Sequence, residues 1–226
     1  MRKLLSIKRA IFERRSVRGY LKKNVPKNII RNIFRLAQRA PSNANIQPWY
    51  VYVASGKSKK RLVKQMVNKV INNVPTNSDY RYPKNFVFNI NYLRRQVECA
   101  KELYDNMKIA RDDKIARDNA YLKNYQMYGA PHVCFIGMYE KFGPAVAIDV
   151  GGYIQTLMLA MNAFGVSCCA QATLRNYPNI VRKEFNIDKS IKILVGISFG
   201  YEDKSVLANK TRINRADINE NVVFKF

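Results

Sequence analysis

Residues 11–20 read I-F-E-R-R-S-V-R-G-Y, and residues 40–49 read A-P-S-N-A-N-I-Q-P-W. In the first stretch Arg14, Arg15 and Arg18 crowd around Ser16, and their like charges repel one another. Guanidinium groups bind phosphate with two parallel hydrogen bonds, and a serine hydroxyl can add another. The cluster therefore predicts a site for an anion, although a solvated basic patch at a helix end would show the same residues.

The second stretch has two interpretations. Its Asn and Ser side chains can satisfy backbone groups in a turn, after which Gln47-Pro48-Trp49 starts a strand and Trp49 enters the core. Alternatively, the same polar side chains line a ligand site. The chain has no G-x-G-x-x-G and no Walker sequence, so a nucleotide cofactor would be held by side chains rather than by a glycine-rich turn.

The composition is that of one globular domain with a strongly basic surface. A chain of 226 residues, 47% of them hydrophobic, is long enough to bury a core, and no linker or repeat divides residues 1–226. Forty Lys and Arg residues against sixteen Asp and Glu residues give a net charge of +24. This excess favours anionic partners or substrates, but it governs encounter and solubility and does not specify a fold.

Cysteine and histidine usage narrows the chemistry. The cysteines are Cys99, Cys134, Cys168 and Cys169. They are too few and too scattered for a disulfide scaffold, which indicates a reducing compartment, and we expect the cytoplasm. With His132 as the single histidine, neither a zinc site nor a Ser-His-Asp triad is easily assembled, so we expect no metal and interpret His132 as structural.

Two segments could be mistaken for targeting or membrane sequences: the basic N-terminus for a signal peptide, and the apolar residues 143–172 for a membrane span. The N-terminus is basic but lacks the unbroken apolar core of a signal peptide. Residues 143–172 are apolar, yet polar residues and glycines interrupt them. We therefore expect neither a leader nor a membrane span.

Hydrophobic periodicity predicts an α+β layered fold. Helices are predicted over residues 3–14, 26–40, 56–71, from about 92 onward, and over 112–126, 145–164 and 179–185. Strands are predicted over residues 50–54, 133–138, 166–170, 191–199 and 222–226, with a polar loop near 75–90. The helix over 145–164 is apolar nearly all round, so it should be covered on every side.

Several motifs, in the same order, resemble the nitroreductase family, whose members use FMN. R-R-S-V-R and A-P-S-x-x-N-x-Q-P-W are similar to the opening of that family. N-Y-Q-M-Y-G-A-P-H-V-C-F is similar to the branch that contains nitrobenzoate reductases, and D-V-G-G-Y-I-Q-T-L-M-L-A is similar to the central helix. The resemblance runs the full length and implies a nitroreductase-like layered fold, with a central, mostly antiparallel sheet flanked by helices, in an intertwined homodimer.

The resemblance also implies how FMN would be held at the dimer interface. The arginine–serine cluster and cations of the C-terminal segment would hold its phosphate and ribityl chain, while a turn of the other subunit and a strand near residue 170 would line its ring. The implied contacts are Arg14, Arg15, Ser16, Arg18, Pro41, Ser42, Asn43, Asn45, Cys169, Ala170, Gln171, Ala172, Arg212 and Arg215, with Asn124 as a weaker candidate. No catalytic side chain is implied, since flavin N5 carries the hydride beside a backbone N–H near Gln171.

The function implied is transfer of hydride from NADH or NADPH, through FMN, to nitroaromatic, quinone or similar small-molecule acceptors by a ping-pong mechanism. Two alternatives stay open. The basic N-terminal third, in which Lys27, Arg31, Arg35 and Arg39 recur every four residues, would also suit a nucleic-acid-binding protein, although no motif for that role is present. The other alternative is a family member that binds flavin as a sensor or store without catalysis.

Overall fold

The computed structural model describes residues 4–81 and 89–226. Over these residues it contains seven α-helices and four β-strands. The helices are α1 (Ile7–Glu13), α2 (Lys27–Ala37), α3 (Gly56–Ile71), α4 (Ile90–Asn106), α5 (Lys114–Tyr125), α6 (Pro144–Ala163) and α7 (Pro178–Phe185). The strands are β1 (Tyr50–Ser55), β2 (His132–Tyr139), β3 (Ser167–Gln171) and β4 (Ile191–Gly200).

The predicted elements agree with these bounds to within a few residues, with one exception. Helix α1 begins later than predicted because Ser6 caps it, its hydroxyl accepting the backbone N–H of Arg9. The strand predicted over residues 222–226 is wrong: this segment is irregular and exposed, since no strand of the described chain lies beside it to share backbone hydrogen bonds. Part of the loop predicted near 75–90, residues 82–88, lies outside the described residues.

The four strands form one antiparallel sheet in the order β1-β2-β4-β3. Val51 of β1 lies opposite Ile136 of β2, and Cys169 of β3 lies opposite Ser198 of β4. This arrangement confirms the predicted antiparallel sheet. It also puts β3 at an edge, where the outer side of the strand can pair with another segment.

Helices cover both faces of the sheet because the side chains of the central strand alternate in direction. Val133 and Phe135 of β2 pack into a core shared with α3 and α7. Cys134, Ile136 and Met138 of the same strand pack into a second core beneath α2 and α6. The molecule is therefore layered as predicted, with the sheet between two helical layers.

Helix α6 is only half covered by its own described chain, so the expectation that it is covered on every side stays a prediction for the assembled protein. Val150 and Leu157 are fully buried, whereas Ile148 is 75% exposed and Gly151 and Gly152 lie open on the same outer face. By length and composition α6 is the one helix among the described residues that could cross a membrane. Its buried inner face is instead typical of the core helix of a folded domain.

Trp49 lies in the core, which confirms the structural interpretation of the Gln-Pro-Trp sequence. Its ring stacks on Tyr153 of α6 with a centroid separation of 4.7 Å. Its indole N–H donates to the side-chain oxygen of Gln38 at 2.8 Å. These two contacts fix the end of α2 against α6 and against the start of β1.

Candidate cofactor site

The arginine cluster is an extended segment that lies along the outer edge of β3. Arg14 leaves α1 with extended backbone angles. Ser16 pairs with Cys168 in a parallel bridge, in which the Val17 N–H donates to the Cys168 carbonyl at 3.1 Å. Val17 is buried, and the side chains on either side of it stay partly exposed. The sheet edge therefore sets the direction of the cluster that ends at Arg18.

Asn209, a residue that sequence reasoning did not assign to the site, fastens the C-terminal segment to this cluster. Its buried side-chain oxygen accepts the backbone N–H of Arg18 at 2.6 Å. Its amide nitrogen donates to the carbonyl oxygens of Gly19 and Asp203, both at 2.9 Å. No local pattern could reveal this role, because the partner Arg18 lies 191 positions away in the sequence.

The two segments enclose a cavity of about 700 Å³, which we call the arginine cavity. Its lining residues are Phe12, Glu13, Arg14, Arg15, Ser16, Arg18, Cys99, Thr211, Arg212, Ile213, Asn214 and Arg215. Six of the predicted cofactor contacts are thus brought together, from the two ends of the chain. Five of the lining side chains are cations and only Glu13 is an acid, so the cavity is strongly positive.

One of the five arginines already has a counterion. Arg15 donates from its guanidinium to the Glu202 carboxylate, and both side chains are largely shielded from water. The Arg15 Nε, also buried, has no hydrogen-bond partner among the described residues. Arg212 and Arg215 donate only to nearby backbone carbonyls of the described chain. The pairing with Glu202 offsets the charge of Arg15 inside the protein, and the role of Arg15 at a phosphate stays a prediction.

A phosphorylated cofactor fits this arrangement. Arg14, Arg18, Arg212 and Arg215 have no acidic partner within 4.0 Å among the residues that the structure describes. Guanidinium groups and a serine hydroxyl are suitable donors for the terminal oxygens of a phosphate monoester. The donor set therefore matches the phosphate end of FMN.

Strand β3 presents its backbone, rather than its polar side chains, to the outer edge. Gln171 is buried, and its amide nitrogen donates to the Asn124 carbonyl at 2.9 Å while its amide oxygen accepts from the Ser198 hydroxyl. Ala170 and Ala172 are exposed beside it. This leaves the Gln171 side chain unavailable to a ligand, in keeping with the predicted backbone role.

The Cys169 side chain lies against the arginine cluster. Burial raises the pKa of its thiol, and the Arg18 charge, a hydrogen bond with Ser16 and the Arg14 charge lower that pKa only in part. The thiol therefore stays neutral near pH 7 and is a poor nucleophile. Cys169 contributes shape to the site and adds no charge.

The turn predicted to line the flavin ring does not reach the arginine cavity within one chain. Pro41, Ser42, Asn43 and Asn45 are absent from the lining of that cavity over the described residues. The Asn43 N–H donates instead to the Asp149 carboxylate on the open face of α6, at 3.1 Å. Their proximity to the cofactor thus remains a prediction that needs a second subunit.

Backbone angles fix the shape of this turn. Ala44, Asn45 and Gln47 have φ values of 47°, 58° and 47°, which L residues other than Asn and Asp rarely adopt. The Gln47 N–H donates to the Ser42 hydroxyl at 2.9 Å and closes the loop. The turn is therefore a defined and exposed structure rather than a random connection.

Asn124, the weaker candidate, lies beside a second, smaller cavity of about 280 Å³ between α4, α5 and residues 206–208. Its side-chain oxygen accepts from the Tyr128 hydroxyl at 2.5 Å. Burial raises the pKa of Tyr128. Arg18 lines both cavities, so the two are neighbours.

His132 is structural, as interpreted from the sequence. It is buried at the start of β2, where its Nε2 accepts the Val25 N–H at 2.9 Å and its Nδ1 lies 2.5 Å from the Ser55 hydroxyl oxygen. The Nε2 is therefore unprotonated, and the proton resides on Nδ1. Burial lowers the pKa of His132, and the charge of Lys59 lowers it further.

Comparisons with known proteins agree with this geometry. The model of the nitroreductase family matches residues 11–201. The chain is 37% identical over 216 residues to nitroreductase NfnB of Mycolicibacterium smegmatis, covering 96% of this chain and 91% of that protein. It is 31% identical over 214 residues to a 4-nitrobenzoate reductase of a Nocardioides species, covering 93% and 86%.

A solved structure extends the agreement to three dimensions. The crystal structure of the FMN-dependent nitroreductase NfnB from Mycobacterium smegmatis, in complex with NADPH, is similar with a TM-score of 0.92 and 36% identity. The match covers 97% of each chain. Since the family model spans most of the sequence and the fold agrees throughout, this chain belongs to the nitroreductase family.

Proposed function

We propose that this protein is an FMN-dependent oxidoreductase that takes hydride from NAD(P)H and reduces nitroaromatic, quinone or similar acceptors by a ping-pong mechanism. The enzyme class, FMN and NAD(P)H, all predicted from the sequence, are confirmed by relatives that are named FMN-dependent nitroreductases and occur in complex with NADPH. The observation that carries the proposal is the arginine cavity, whose arginine–serine segment pairs directly with β3.

Different residues of the cavity would bind different parts of FMN. Arg14, Ser16, Arg212 and Arg215 would hold the phosphate, since their donors line the cavity and the charges of the arginines have no acidic partner in the described chain. Arg18 lines both cavities, where a positive charge would favour the anionic form of a reduced ring. When bound, FMN supplies the atom that accepts and donates hydride.

The neighbouring strand would orient the flat part of the cofactor. Cys169 and Gln171 are buried and held by protein contacts, so the β3 backbone is a rigid edge. Ala170 and Ala172 offer small side chains that let a planar ring approach this backbone closely. A backbone N–H near Gln171 would then donate to the ring without any side chain taking part.

We infer a homodimer from surfaces that one chain leaves uncovered. Ile148, Gly151 and Gly152 form an open strip on α6, where helices can approach closely because glycine lacks a side chain. The turn at residues 41–45 is attached beside this strip through the bond between Asn43 and Asp149. A second copy packed on α6 would therefore bring its own Pro41, Ser42, Asn43 and Asn45 towards this chain.

We infer the acceptor class from the overall charge of the chain. A chain with a net charge of +24 attracts anionic aromatic molecules faster than neutral ones. Nitrobenzoates and similar carboxylated nitroaromatics fit this description. The free cysteines Cys99, Cys134, Cys168 and Cys169 support a reducing location, for which we propose the cytoplasm.

The test is an absorption spectrum of the purified protein before and after NADH or NADPH. We expect a yellow protein with about one FMN per chain. NAD(P)H should bleach the flavin absorbance, and an added nitrobenzoate should restore it. A colourless protein that takes up no FMN would contradict the proposal. A flavin that NAD(P)H reduces, but that no acceptor reoxidises faster than air, would favour the sensor or storage alternative.

A further inference from the structure

Helix α2 carries a row of cations on its outer face that the cofactor site does not use. Lys27, Arg31, Arg35 and Arg39 follow one another at four-residue intervals, at α2 and just after its end, and all four are exposed. Helix geometry separates successive members by roughly 6 Å along the axis. The three members within α2 are therefore regularly spaced positive charges on one side of the helix, and Arg39 follows just beyond its end.

No acid neutralises this row in the described chain. The sequence of α2 contains no Asp or Glu, and none of the four cations forms an ion pair within 4.0 Å with a described residue. Like charges four residues apart in a helix repel one another and destabilise it. The row carries that cost with no compensating contact inside the protein.

The opposite face of α2 is fixed in the core. Ile33 and Ala37 are fully buried against α6, and Gln38 is bonded to Trp49 just beyond the helix end. The helix cannot turn its apolar face outward without opening the core. Insertion into a lipid bilayer, which requires an exposed apolar face on an amphipathic helix, is therefore unavailable to it.

We propose that this row binds the phosphate backbone of nucleic acid, without sequence preference, as a second binding function outside the cofactor site. A nucleic-acid strand offers phosphates at short regular intervals, and each contact with a Lys or Arg releases a counterion. Asn28 and Asn32, exposed between the cations, add neutral donors for phosphate oxygens. A second copy of the chain is a poor occupant, because the same face would bring two rows of cations together.

The row is separate from the arginine cavity, so its binding can be tested without touching the cofactor. None of its four members lines that cavity over the described residues. Exposed Lys22 and Lys23, which precede the helix, add to the positive surface. Loss of nucleic-acid binding should therefore leave flavin content and reductase activity unchanged.

The experiment compares Arg31→Gln/Arg35→Gln with Lys60→Gln/Lys64→Gln in the FMN-loaded protein. The control pair matches the test pair in charge lost and in four-residue spacing, and it is exposed on α3, across the sheet. Binding to a labelled DNA duplex is followed by fluorescence anisotropy between about 50 and 200 mM salt. Anionic phospholipid vesicles and inorganic phosphate are titrated in parallel.

We expect the plot of log affinity against log salt to be steep for the unmodified protein. In Arg31→Gln/Arg35→Gln the magnitude of this slope should fall by about 1.8, since each lost phosphate contact lowers it by about 0.9. The control pair should keep the original slope. Equal losses of slope in both variants would overturn the proposal, because net charge alone would then be responsible. A test variant that loses vesicle binding but keeps duplex binding would overturn it as well.

Discussion

The side-chain oxygen of Asn209 accepts a hydrogen bond from the backbone N–H of Arg18 at 2.6 Å. The amide nitrogen of the same side chain donates to the carbonyls of Gly19 and Asp203. One buried amide group thus joins the two segments that form the arginine cavity. Since a buried polar group left without its partner costs roughly 1–3 kcal/mol, this joint is a strong determinant of the site geometry.

Replacing Asn209 with leucine should therefore weaken both folding and cofactor binding. We expect the free energy of unfolding of Asn209→Leu to fall by roughly 2–3 kcal/mol. FMN should bind at least about tenfold more weakly, because Arg212 is no longer held in place. Urea unfolding and titration of apoprotein with FMN measure the two effects.

The matched control is Lys210→Gln, an exposed neighbour in the same turn. Both quantities should stay close to those of the unmodified protein. A folded Asn209→Leu variant with unchanged FMN affinity would show that the C-terminal segment does not need this joint.

Arg15 and Arg215 should respond differently to the same substitution. Arg215→Gln removes an exposed cation of the cavity, so we expect FMN affinity to fall about tenfold with little change in stability. Arg15→Gln leaves the shielded Glu202 carboxylate without its partner, so we expect the larger loss in stability, roughly 1–3 kcal/mol. Thermal unfolding of the apoproteins and FMN titration separate the effects. Equal losses of FMN affinity in the two variants would contradict the division of roles.

How far the sequence could predict this site depends on which contacts are local. Arg14, Ser16 and Arg18 could be identified because they crowd into a few adjacent positions. Glu202 and Asn209 could not, because their partners lie 187 and 191 positions away and only folding brings them together. A charge count also treats Arg15 like its neighbours, whereas its environment pairs it with an acid.

For the fold, too, local features could be predicted from the sequence and contacts between distant segments could not. The central strands and helices could be predicted because their apolar residues recur at the positions that face the core. Ile33 and Ala37 on the inner face of α2 are an example. The strand predicted over residues 222–226 failed because an apolar run becomes a strand only where another strand accepts its hydrogen bonds. Whether the open face of α6 is covered stays a prediction, since a single chain does not show what a second copy would cover.

Stability should fall in mildly acidic solution because of His132. Its pKa is lowered in the folded protein, first by burial and then by Lys59, from an ordinary value near 6.5 that the unfolded chain retains. Protonation would also set a second N–H against the Val25 N–H. As pH falls the unfolded state therefore takes up the proton first, so the stabilisation is complete above about pH 6.5 and is lost progressively below it.

Urea midpoints measured between about pH 5 and 8 test this dependence. We expect the midpoints to be level above pH 6.5 and to decline below it. The corresponding free energy of unfolding should fall by up to about 1.4 kcal/mol per pH unit. In His132→Gln, which can still accept the Val25 N–H, the decline over the same window should largely disappear. An unchanged decline in that variant would assign the effect to other groups.

Gly19 should tolerate no side chain. A Cβ at this position would lie 2.5–2.6 Å from the side chain of Val206, just before the turn that carries Asn209. We expect Gly19→Ala to push this turn away, lowering the free energy of unfolding by about 1–3 kcal/mol and weakening FMN binding. The double variant Gly19→Ala/Val206→Ala, which removes the clashing methyl groups, should recover part of the FMN affinity. An absence of recovery, with both proteins folded, would mean that the glycine acts in another way.

The strip on α6 gives the sharpest test of the homodimer. A side chain at Gly152 meets nothing within 4 Å in the single chain, so Gly152→Ala should stabilise an isolated helix by up to about 1 kcal/mol. If a second copy packs there, Gly152→Leu must instead separate the subunits and release the FMN that their turns help to hold. Light scattering after size exclusion, with the flavin absorbance of each peak, reports both events. Asn68→Leu, on the exposed side of α3, controls for an added surface leucine. A Gly152→Leu variant that stays dimeric and yellow would place the dimer contact elsewhere on the molecule.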